Sequence, residues 1–410
     1  MVPNGWEKGI VDDIAKVTSG GTPSRKKDSY WNGHIPWVTT SEVKFGVITD
    51  TEQKITQEGL DNSSAKLFPE DTILMAMYGQ GKTRGQVAKL GIEASTNQAC
   101  AALLLHKEHD VNYYYQYLTS QYENIRELAN SGGQQNLSAG IIKDIHVPIP
   151  PLPEQRKIAK ILSTWDKAIT TTEKLIETSK QQKKALMQKL LTGKKRLVDP
   201  ETGKAFEGDW EEVKLGDLGK TFTGLTGKTK EHFGRGSKYI PYINIFRNSS
   251  VDMNALELVD VRPNEKQNLV KYGDIFFTTS SETPEEVGMS SVILEEIDES
   301  VYLNSFCFGF RPHNFNRVKP EFIRYLLRSE KVRRSISLLA QGATRYNLSK
   351  TQLLKITLNI PSLGEQQKIA SVLTAADKDI ELLEAKLAHF KQEKKALMQQ
   401  LLTGKKRVVI

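Results

Sequence analysis

The stretch EQRKIAKILSTWDKAITTTEKLIETSKQQKKALMQKLLTGKKR at residues 154–196 occurs twice in this chain. Residues 365–407 read EQQKIASVLTAADKDIELLEAKLAHFKQEKKALMQQLLTGKKR, and the two copies align without a gap at a constant offset of 211 residues. An internal repeat of this length indicates that the chain is built from two related halves. Two such halves favour a partner that is itself roughly two-fold.

Each copy has the apolar spacing of one long helix. Apolar side chains recur in steps of three or four, with a polar interruption at Lys183 and Lys394. Prolines precede both copies, and Gly193 and Gly404 follow as stop signals. Some 39 residues at about 1.5 Å each predict a rod about 58 Å long. The stripes comprise Ile158, Ile161, Trp165, Ile169, Thr172, Ile176, Ser179, Lys183, Leu186 and Leu190, and Ile369, Val372, Ala376, Ile380, Leu383, Leu387, Phe390, Lys394, Leu397 and Leu401.

Neither stripe is stable alone in water, so we predict that the two helices pack on each other. The first helix ends where a second globular region begins, and the second helix leaves that region. An antiparallel pairing would carry it back. The predicted fold is therefore two globular domains separated by an antiparallel coiled coil of two long helices, with an approximate two-fold relation. The alternative is a pair of independent helices that each dock on their own domain.

The predicted boundaries are residues 1–150 for the first domain, 151–196 for the first helix, 197–207 for a linker, 208–360 for the second domain and 361–407 for the second helix. Both globular regions mix short β-rich runs with helical stretches, which indicates α+β domains. The predicted strands are 72–76, 99–105, 290–294 and 306–310, and the predicted helices are 111–128 and 320–339.

The formal net charge of the 410-residue chain is +8, which favours a polyanionic partner. The two repeats carry +8 and +3, so the remainder of the chain sums to −3. Bulk charge is thus weak evidence for nucleic-acid binding. The basic tripeptides at 194–196 and 405–407 follow helix ends, where the helix dipole alone accounts for them.

No apolar run approaches the roughly 18–20 residues that span a bilayer, and the N-terminus lacks the regions of a signal peptide. Cys100 and Cys307 lie at matching places in apolar segments of the two halves. Buried thiols are therefore predicted rather than a disulfide. These features predict a cytoplasmic protein without membrane association.

The segment 79–85 contains Gly-Lys-Thr, but a phosphate-binding loop also needs glycine where this chain has Ala76. An ATP site is not favoured. Two interpretations of this loop stay open, a flexible surface loop and a glycine-rich loop that approaches a nucleic-acid backbone. The chain has no HExxH motif, no paired Cys/His zinc spacing and no identifiable catalytic triad. We predict no catalytic residue, metal site or cofactor in this chain.

Polar loops at matching places of both halves are candidate DNA contacts. Arginine can pair with guanine and glutamine or asparagine with adenine in a major groove, although a solvated loop explains any single residue equally well. The candidates are Arg25, Lys26, Lys27, Lys82, Thr83, Arg84, Gln134, Gln135, Asn136, Lys228, Arg247, Arg345, Tyr346 and Asn347.

Residues 19–24 (SGGTPS) and 30–37 (YWNGHIPW) resemble the opening of target-recognition domains in type I restriction-modification specificity subunits. Residues 149–155 (IPPLPEQ), with the helix that ends in LLTGKKR at 190–196, resemble the spacer of that family, and residues 360–407 repeat it. The second domain departs from the pattern, because it has Gly-Leu-Thr-Gly at 224–227 where the first has Gly-Gly-Thr-Pro.

This resemblance implies a non-catalytic DNA-binding subunit. Each domain would recognise one half of a split, asymmetric double-stranded target, and the coiled coil would fix the gap between the halves. Two methyltransferase subunits, which use S-adenosylmethionine to modify adenine, would dock around the helices, and two ATP- and Mg-dependent restriction subunits would join for cleavage. The cofactors would all belong to those partners. A non-enzymatic coiled-coil adaptor is the alternative. The predicted docking residues are Trp165, Ile169, Leu186, Leu190, Ile380, Leu387, Leu397 and Leu401.

Overall fold

The computed structural model describes residues 3–79, 82–128 and 136–410. The chain divides into two compact units, of which the first comprises residues 1–174 and 385–410 and the second comprises residues 175–384. Each unit contains one of the globular regions and one segment of each long helix. The boundaries predicted from the sequence instead follow the helix ends, and they stay predictions.

The first unit is an α+β structure with two mixed sheets. Its strands are β1 (Glu7–Ile10), β2 (Ala15–Ser19), β3 (Trp31–Val38), β4 (Val47–Ile48), β5 (Gln53–Ile55), β6 (Leu67–Phe68), β7 (Ile73–Ala76), β8 (Val87–Leu90), β9 (Ala94–Thr96), β10 (Cys100–Leu105) and β11 (His146–Ile149). Its helices are α1 (Val11–Ile14), α2 (Gln57–Asp61), α3 (Val111–Ser120), α4 (Tyr122–Leu128), α5 (Ala139–Lys143) and the start of α6 (Leu152–Leu190). One sheet has the order β2-β10-β7-β8-β4 and the other β5-β3-β9-β6, while β1 pairs antiparallel with β11.

The central strand β7 shows why the sequence of this domain contains continuous apolar runs rather than alternating apolar and polar residues. Ile73 and Met75 point into one buried cluster, and Leu74 and Ala76 point into a second cluster on the opposite face. Successive side chains of a strand face opposite sides, so a strand that is covered on both faces needs apolar residues at every position.

The second unit is also α+β. Its strands are β12 (Glu211–Lys214), β13 (Gly219–Thr223), β14 (Phe233–Ile240), β15 (Glu257–Val259), β16 (Ile275–Thr278), β17 (Ser280–Ser281), β18 (Ser290–Val292), β19 (Val301–Leu303), β20 (Cys307–Pro312), β21 (Ala340–Gln341), β22 (Tyr346–Leu348) and β23 (Thr357–Ile360). Its helices are α7 (Leu215–Leu218), α8 (Tyr242–Arg247), α9 (Pro320–Leu326), α10 (Glu330–Ser337), α11 (Lys350–Leu353) and the start of α12 (Leu363–Leu401). The sheet orders are β13-β20-β16-β18, β15-β14-β19 and β17-β22-β21, and β12 pairs with β23.

The two domains repeat the same framework. The pairing of β12 with β23 in the second unit corresponds to that of β1 with β11 in the first. Cys100 and Cys307 both begin a strand that pairs with a central apolar strand, and both are free and buried. The prediction of buried thiols is confirmed, as is the α+β class.

The two helical stretches predicted at 111–128 and 320–339 are each broken into two helices. At the first break, Ser120 Oγ donates a 2.6 Å hydrogen bond to the carbonyl of Tyr117, and at the second, Ser329 Oγ donates one of 2.6 Å to that of Leu326. A serine hydroxyl that binds a backbone carbonyl three residues earlier competes with the helical pattern. Apolar spacing alone does not reveal this competition.

The long repeats form α6 and α12, each of 39 residues as predicted. Every position of the two predicted apolar stripes is buried or half-buried. In the first unit the rings of Trp165 and Phe390 meet edge to face at 5.6 Å between centroids.

Ion pairs show the direction of packing within each unit. In the first unit Lys394 Nζ lies 2.6 Å from Asp166 and Lys391 Nζ lies 2.7 Å from Glu173, so residue numbers fall along one helix as they rise along the other. In the second unit Lys180 Nζ lies 2.6 Å from Glu384, and Lys183 pairs with Asp377. Each of these pairs has its counterpart 211 residues away. The helices therefore pack antiparallel in both units, which excludes the alternative of independent helices.

The basic tripeptides have a role that the sequence did not reveal. In the second unit Arg196 donates from Nε (2.6 Å) and Nη2 (2.7 Å) to the two oxygens of buried Glu365. In the first unit Arg407 makes the equivalent bidentate pair with Glu154, and this hydrogen bonding holds the pKa of Glu154 below its usual range. The terminal arginine of each repeat thus binds a glutamate in the first turn of the other helix. This ion pair is a role in addition to any interaction with the helix dipole.

Candidate nucleic-acid interface

In the first domain, Arg25 is held over an aromatic platform. Its guanidinium carbon lies 3.6 Å from the ring centroid of Trp31, which meets Trp37 edge to face at 5.1 Å. The two indole N–H groups donate to backbone carbonyls of the preceding loop, Trp31 to Ser24 at 3.2 Å and Trp37 to Gly21 at 2.9 Å. Arg25 remains exposed. Stacking on tryptophan restricts the guanidinium while leaving its N–H donors available, which suits contact with a phosphate or a base edge.

Two neighbouring lysines of this loop are also exposed. Lys27 Nζ donates a 2.8 Å hydrogen bond to the Tyr30 hydroxyl, and this bond raises the pKa of Lys27. The Lys26 side chain makes no hydrogen bond or ion pair among the residues that the structure describes. Together with Arg25, they give the loop three cations on its outer side.

The loop before β8 presents one exposed cation. Lys82 is exposed, whereas Thr83 and Arg84 are half-buried, and the Lys82 carbonyl accepts a 2.5 Å hydrogen bond from the hydroxyl of Tyr122. Gly85 has φ of +82°, and a side chain there would meet Arg126 at 3.1 Å. The positive φ therefore favours glycine, and any other residue would also require the Arg126 side chain to shift.

Asn136 and Asn347 occupy the same backbone setting in their respective domains. Asn136 is exposed beside buried Leu137, whose N–H donates 3.0 Å to the carbonyl of Met77. Asn347 is exposed beside buried Leu348, whose N–H donates 2.9 Å to Thr279. Gln134 and Gln135, the adjacent candidates, lie outside the described residues.

In the second domain, Arg345, Tyr346 and Asn347 lie at the start of β22. Arg345 Nε donates 3.0 Å to Ser280 Oγ, which orients an otherwise exposed guanidinium, and Asn347 is the strand partner of Ser280. Tyr346 is half-buried. These three consecutive residues thus lie at the N-terminal end of one strand, with Arg345 immediately before it.

Lys228 differs from the other candidates because its side chain is buried. Its side chain is only 2% exposed, and its ammonium pairs with Glu265. The hydrogen bond from Lys228 is the main reason that the pKa of Glu265 falls to about 2. In this arrangement the Lys228 ammonium is paired within the domain and is not presented on its surface. Arg247, at the end of α8, is exposed.

The sequence missed Phe306 as a surface residue. It was placed in a predicted strand, but β20 begins at Cys307, and Phe306 is 62% exposed. Its carbonyl accepts the N–H of Thr279 at 3.0 Å, which places it next to the residue that also binds Leu348. An exposed aromatic ring on a strand end near β22 is suited to apolar contact with a base. In the first domain the equivalent hydrogen bond runs from the N–H of Met77 to the carbonyl of Ala99, so Ala99 occupies the position of Phe306.

The eight predicted docking residues are used inside the chain. Leu190 and Leu401 are buried in the cores of the second and first units, respectively. Ile380 is buried, and Trp165, Ile169, Leu186, Leu387 and Leu397 are half-buried. Two large apolar side chains are exposed on the long helices, those of Leu175 and Leu382. Whether partners contact the predicted set is a prediction that the structure does not test.

The described part of the chain contains no cluster of three or more histidine, cysteine or acidic side chains able to hold a metal ion. Among the same residues no helix is long and apolar enough to cross a bilayer. Burial raises the pKa of the Cys100 thiol to about 12 and raises that of Cys307 as well.

Comparison with known proteins identifies one family. The family model described as "Type I restriction modification DNA specificity domain" matches residues 3–180 and 207–392. The chain is 29% identical to the type I restriction enzyme MjaVIII specificity subunit of Methanocaldococcus jannaschii, over 99% of this chain and 94% of the relative. It is 25% identical to the EcoKI specificity subunit of Escherichia coli, over 71% and 65% of the two chains.

Two solved structures have the same fold. The type I restriction-modification S subunit from M. genitalium superposes with a TM-score of 0.61 at 16% identity, over 98% of this chain and 96% of that one. A chain from a study of complex assembly and conformational transition of the type I R-M system gives a TM-score of 0.59 at 14% identity, over 98% of both chains.

Proposed function

Because the chain belongs to the family of the type I restriction-modification DNA specificity domain, we propose that it is the DNA-specificity subunit of a type I restriction-modification complex. Each of its two domains recognises one half of a bipartite, asymmetric double-stranded target. The observation that carries this proposal is the presence of two family domains in one chain, matched at residues 3–180 and 207–392. The adaptor alternative is not favoured, since the family match covers both globular regions.

An asymmetric target is supported by a difference between the two domains, which share a framework of strands but carry different side chains on their surfaces. The pair Phe233 and Tyr239 repeats the edge-to-face geometry of the tryptophan platform, with 5.2 Å between centroids. No arginine stacks on this second pair among the described residues, whereas Arg25 stacks on the first. Conversely, Phe306 is exposed where the first domain has Ala99. Two domains with different outer side chains are expected to select different half-sites.

The paired helices serve as the spacer and as the docking region for other subunits. The repeated ion pairs leave one register for antiparallel packing, because slipping either helix separates every pair at once. We propose that two methyltransferase subunits dock around these helices and that two restriction subunits join them, in the cytoplasm. S-adenosylmethionine, ATP and Mg would be bound by those subunits, and this chain would catalyse no step.

The experiment is to reconstitute the chain with its methyltransferase subunits and map methylated adenines in a genomic library by methylation-aware sequencing. The expected result is one bipartite motif with a fixed gap. Methylation that ignores sequence, or a single undivided motif, contradicts the proposal. Inserting four residues after Thr178 should change the gap while both half-sites stay the same, and an unaltered gap would refute the spacer role.

A further inference from the structure

One carboxylate in each unit joins both long helices to the globular domain. We infer that Asp166 and Asp377 are positioning residues that fix how each domain sits on its helix pair, and that they thereby set the selectivity for gap length in the DNA target. The inference rests on the proposed function, since only a bipartite target has a gap to select.

In the second unit the carboxylate belongs to Asp377 of α12. Its Oδ1 pairs with Lys183 of α6, and its Oδ2 accepts a 2.6 Å hydrogen bond from the hydroxyl of Tyr325 on α9. The Tyr325 side chain is buried, and the Lys183 and Asp377 side chains are about three-quarters covered. Arg324 reinforces the group, with Nη2 2.9 Å from Thr374 Oγ1 and Nη1 3.0 Å from Ser250 Oγ in the domain.

In the first unit the carboxylate belongs to Asp166 of α6. Its Oδ1 accepts a 2.6 Å bond from Lys394 of α12, and its Oδ2 accepts a 2.5 Å bond from the side-chain amide of Gln116 on α3. Both aspartates and both lysines are related by the 211-residue offset of the repeat. The same three-way connection is therefore built twice.

The two side chains that donate from the domains to these carboxylates occupy equivalent positions but belong to different residue types. The N–H of Asp110 donates 2.8 Å to Gln155 Oε1, and that of Lys319 donates 2.9 Å to Gln366 Oε1, a second pair related by the repeat. Gln116 and Tyr325 each follow these anchors by six residues. The two domains thus place an amide and a phenol at one structural position, and both donate to the same oxygen. The connection is kept although the side chain that makes it has changed.

The geometry explains why this connection controls orientation. Each oxygen of the carboxylate is held by a different element, so a domain that tilts on its helix pair must stretch a short, charge-assisted hydrogen bond. Adding one base pair to a gap turns a half-site by about 35°, given about 10–10.5 base pairs per turn. A domain whose carboxylate connection is intact resists this rotation. A domain in which the connection is broken follows the rotated half-site more easily.

The test uses the full-length chain in complex with its methyltransferase subunits. Variants Asp377→Asn and Tyr325→Phe are compared on DNA that carries both half-sites with the cognate gap or with a gap one base pair shorter or longer. The methylation rate on each DNA is measured. Asp379→Asn is the matched control, because Asp379 is exposed on the same helix and its side chain makes no hydrogen bond or ion pair among the described residues.

We expect the ratio of the rates on cognate and altered gaps to fall at least fivefold in both variants, with half-site preference unchanged, and to stay at the wild-type value in the control. A merely stabilising role lowers the rates on all gaps together, so an unchanged ratio overturns the inference. Tyr325→Phe keeps the buried ring and decides the matter if Asp377→Asn does not fold. If the wild-type complex methylates no bipartite sequence, the proposed function fails before any variant is compared.

Discussion

Replacing Arg196 by methionine should open the junction where the second domain meets its helices. The carboxylate of Glu365 is buried and receives both of its charge-assisted bonds from Arg196, at 2.6 and 2.7 Å. Methionine keeps the apolar stem but removes both donors. Removing one partner of a buried ion pair costs roughly 3–5 kcal/mol, because the remaining charge stays buried without compensation.

The lower end of that range applies here. The Arg196 side chain is 24% exposed, so water reaches the vacated position and partly solvates the carboxylate. A loss of about 3 kcal/mol corresponds to about a 150-fold increase in the opening equilibrium, at 1.36 kcal/mol per factor of ten. Amide hydrogens that exchange through local opening should exchange faster by that factor.

Hydrogen-exchange mass spectrometry on the full-length chain measures this directly. Peptides that cover the last turn of α6 and the first turn of α12 should exchange about 150-fold faster. The equivalent junction of the first unit, formed by Glu154 and Arg407, is the internal control and should not change. Arg196→Lys should give an intermediate effect, because lysine keeps the charge but not the bidentate geometry.

The double variant Arg196→Met with Glu365→Gln separates charge burial from packing. It should be less destabilised than Arg196→Met alone, since a buried neutral amide costs less than a buried unpaired carboxylate. Equal exchange in the two variants, or faster exchange in the double variant, would refute the reasoning. The reasoning would also be refuted if Arg196→Met accelerated exchange equally at the junctions of both units.

Replacing Arg25 and Lys26 by alanine should weaken DNA binding by the reconstituted complex and reduce the slope of log affinity against log salt by about two, as expected for two lost phosphate contacts; fluorescence anisotropy over a salt series measures both, and an unchanged slope counts against this loop. Replacing Lys228 by methionine should lower the thermal stability of the second domain but leave that slope unaltered, because its ammonium is paired with Glu265. The pKa of Glu265 is depressed to about 2 from an ordinary 4.5. Its contribution to stability is therefore full above about pH 4.5 and is lost as the pH falls towards 2, and Glu265→Gln should remove this part of the acid dependence in a pH series of thermal melts. Cys100 and Cys307 should fail to react with a thiol reagent at pH 8 in the native chain and react fully in denaturant, since burial raises both pKa values; rapid labelling of the native chain would contradict this.

The resemblance of the sequence motifs to those of specificity subunits is confirmed by the family model, which matches most of the chain. The candidate DNA contacts stay predictions, and they differ in exposure. Arg25, Arg345 and Asn347 are exposed on loops or strand ends with defined support, whereas Lys228 is buried on an acid. A basic residue in a polar loop has the same local sequence whether it faces solvent or a distant carboxylate. Glu265 lies 37 residues from Lys228, and nothing in the local pattern connects them.

The sequence by itself determined the long helices, their length and the side that each buries. Helical periodicity and helix stop signals are properties of the local sequence. The apolar stripe from Ile158 to Leu190 can therefore be identified without knowing which residues pack against it. Only the tertiary structure decided which charges meet. Arg196 finds Glu365 across 169 residues, and Asp377 is shared by a helix and a domain. Such contacts depend on the folded path of the whole unit, because a single carboxylate can be satisfied by any cation or donor that the fold brings within hydrogen-bonding distance.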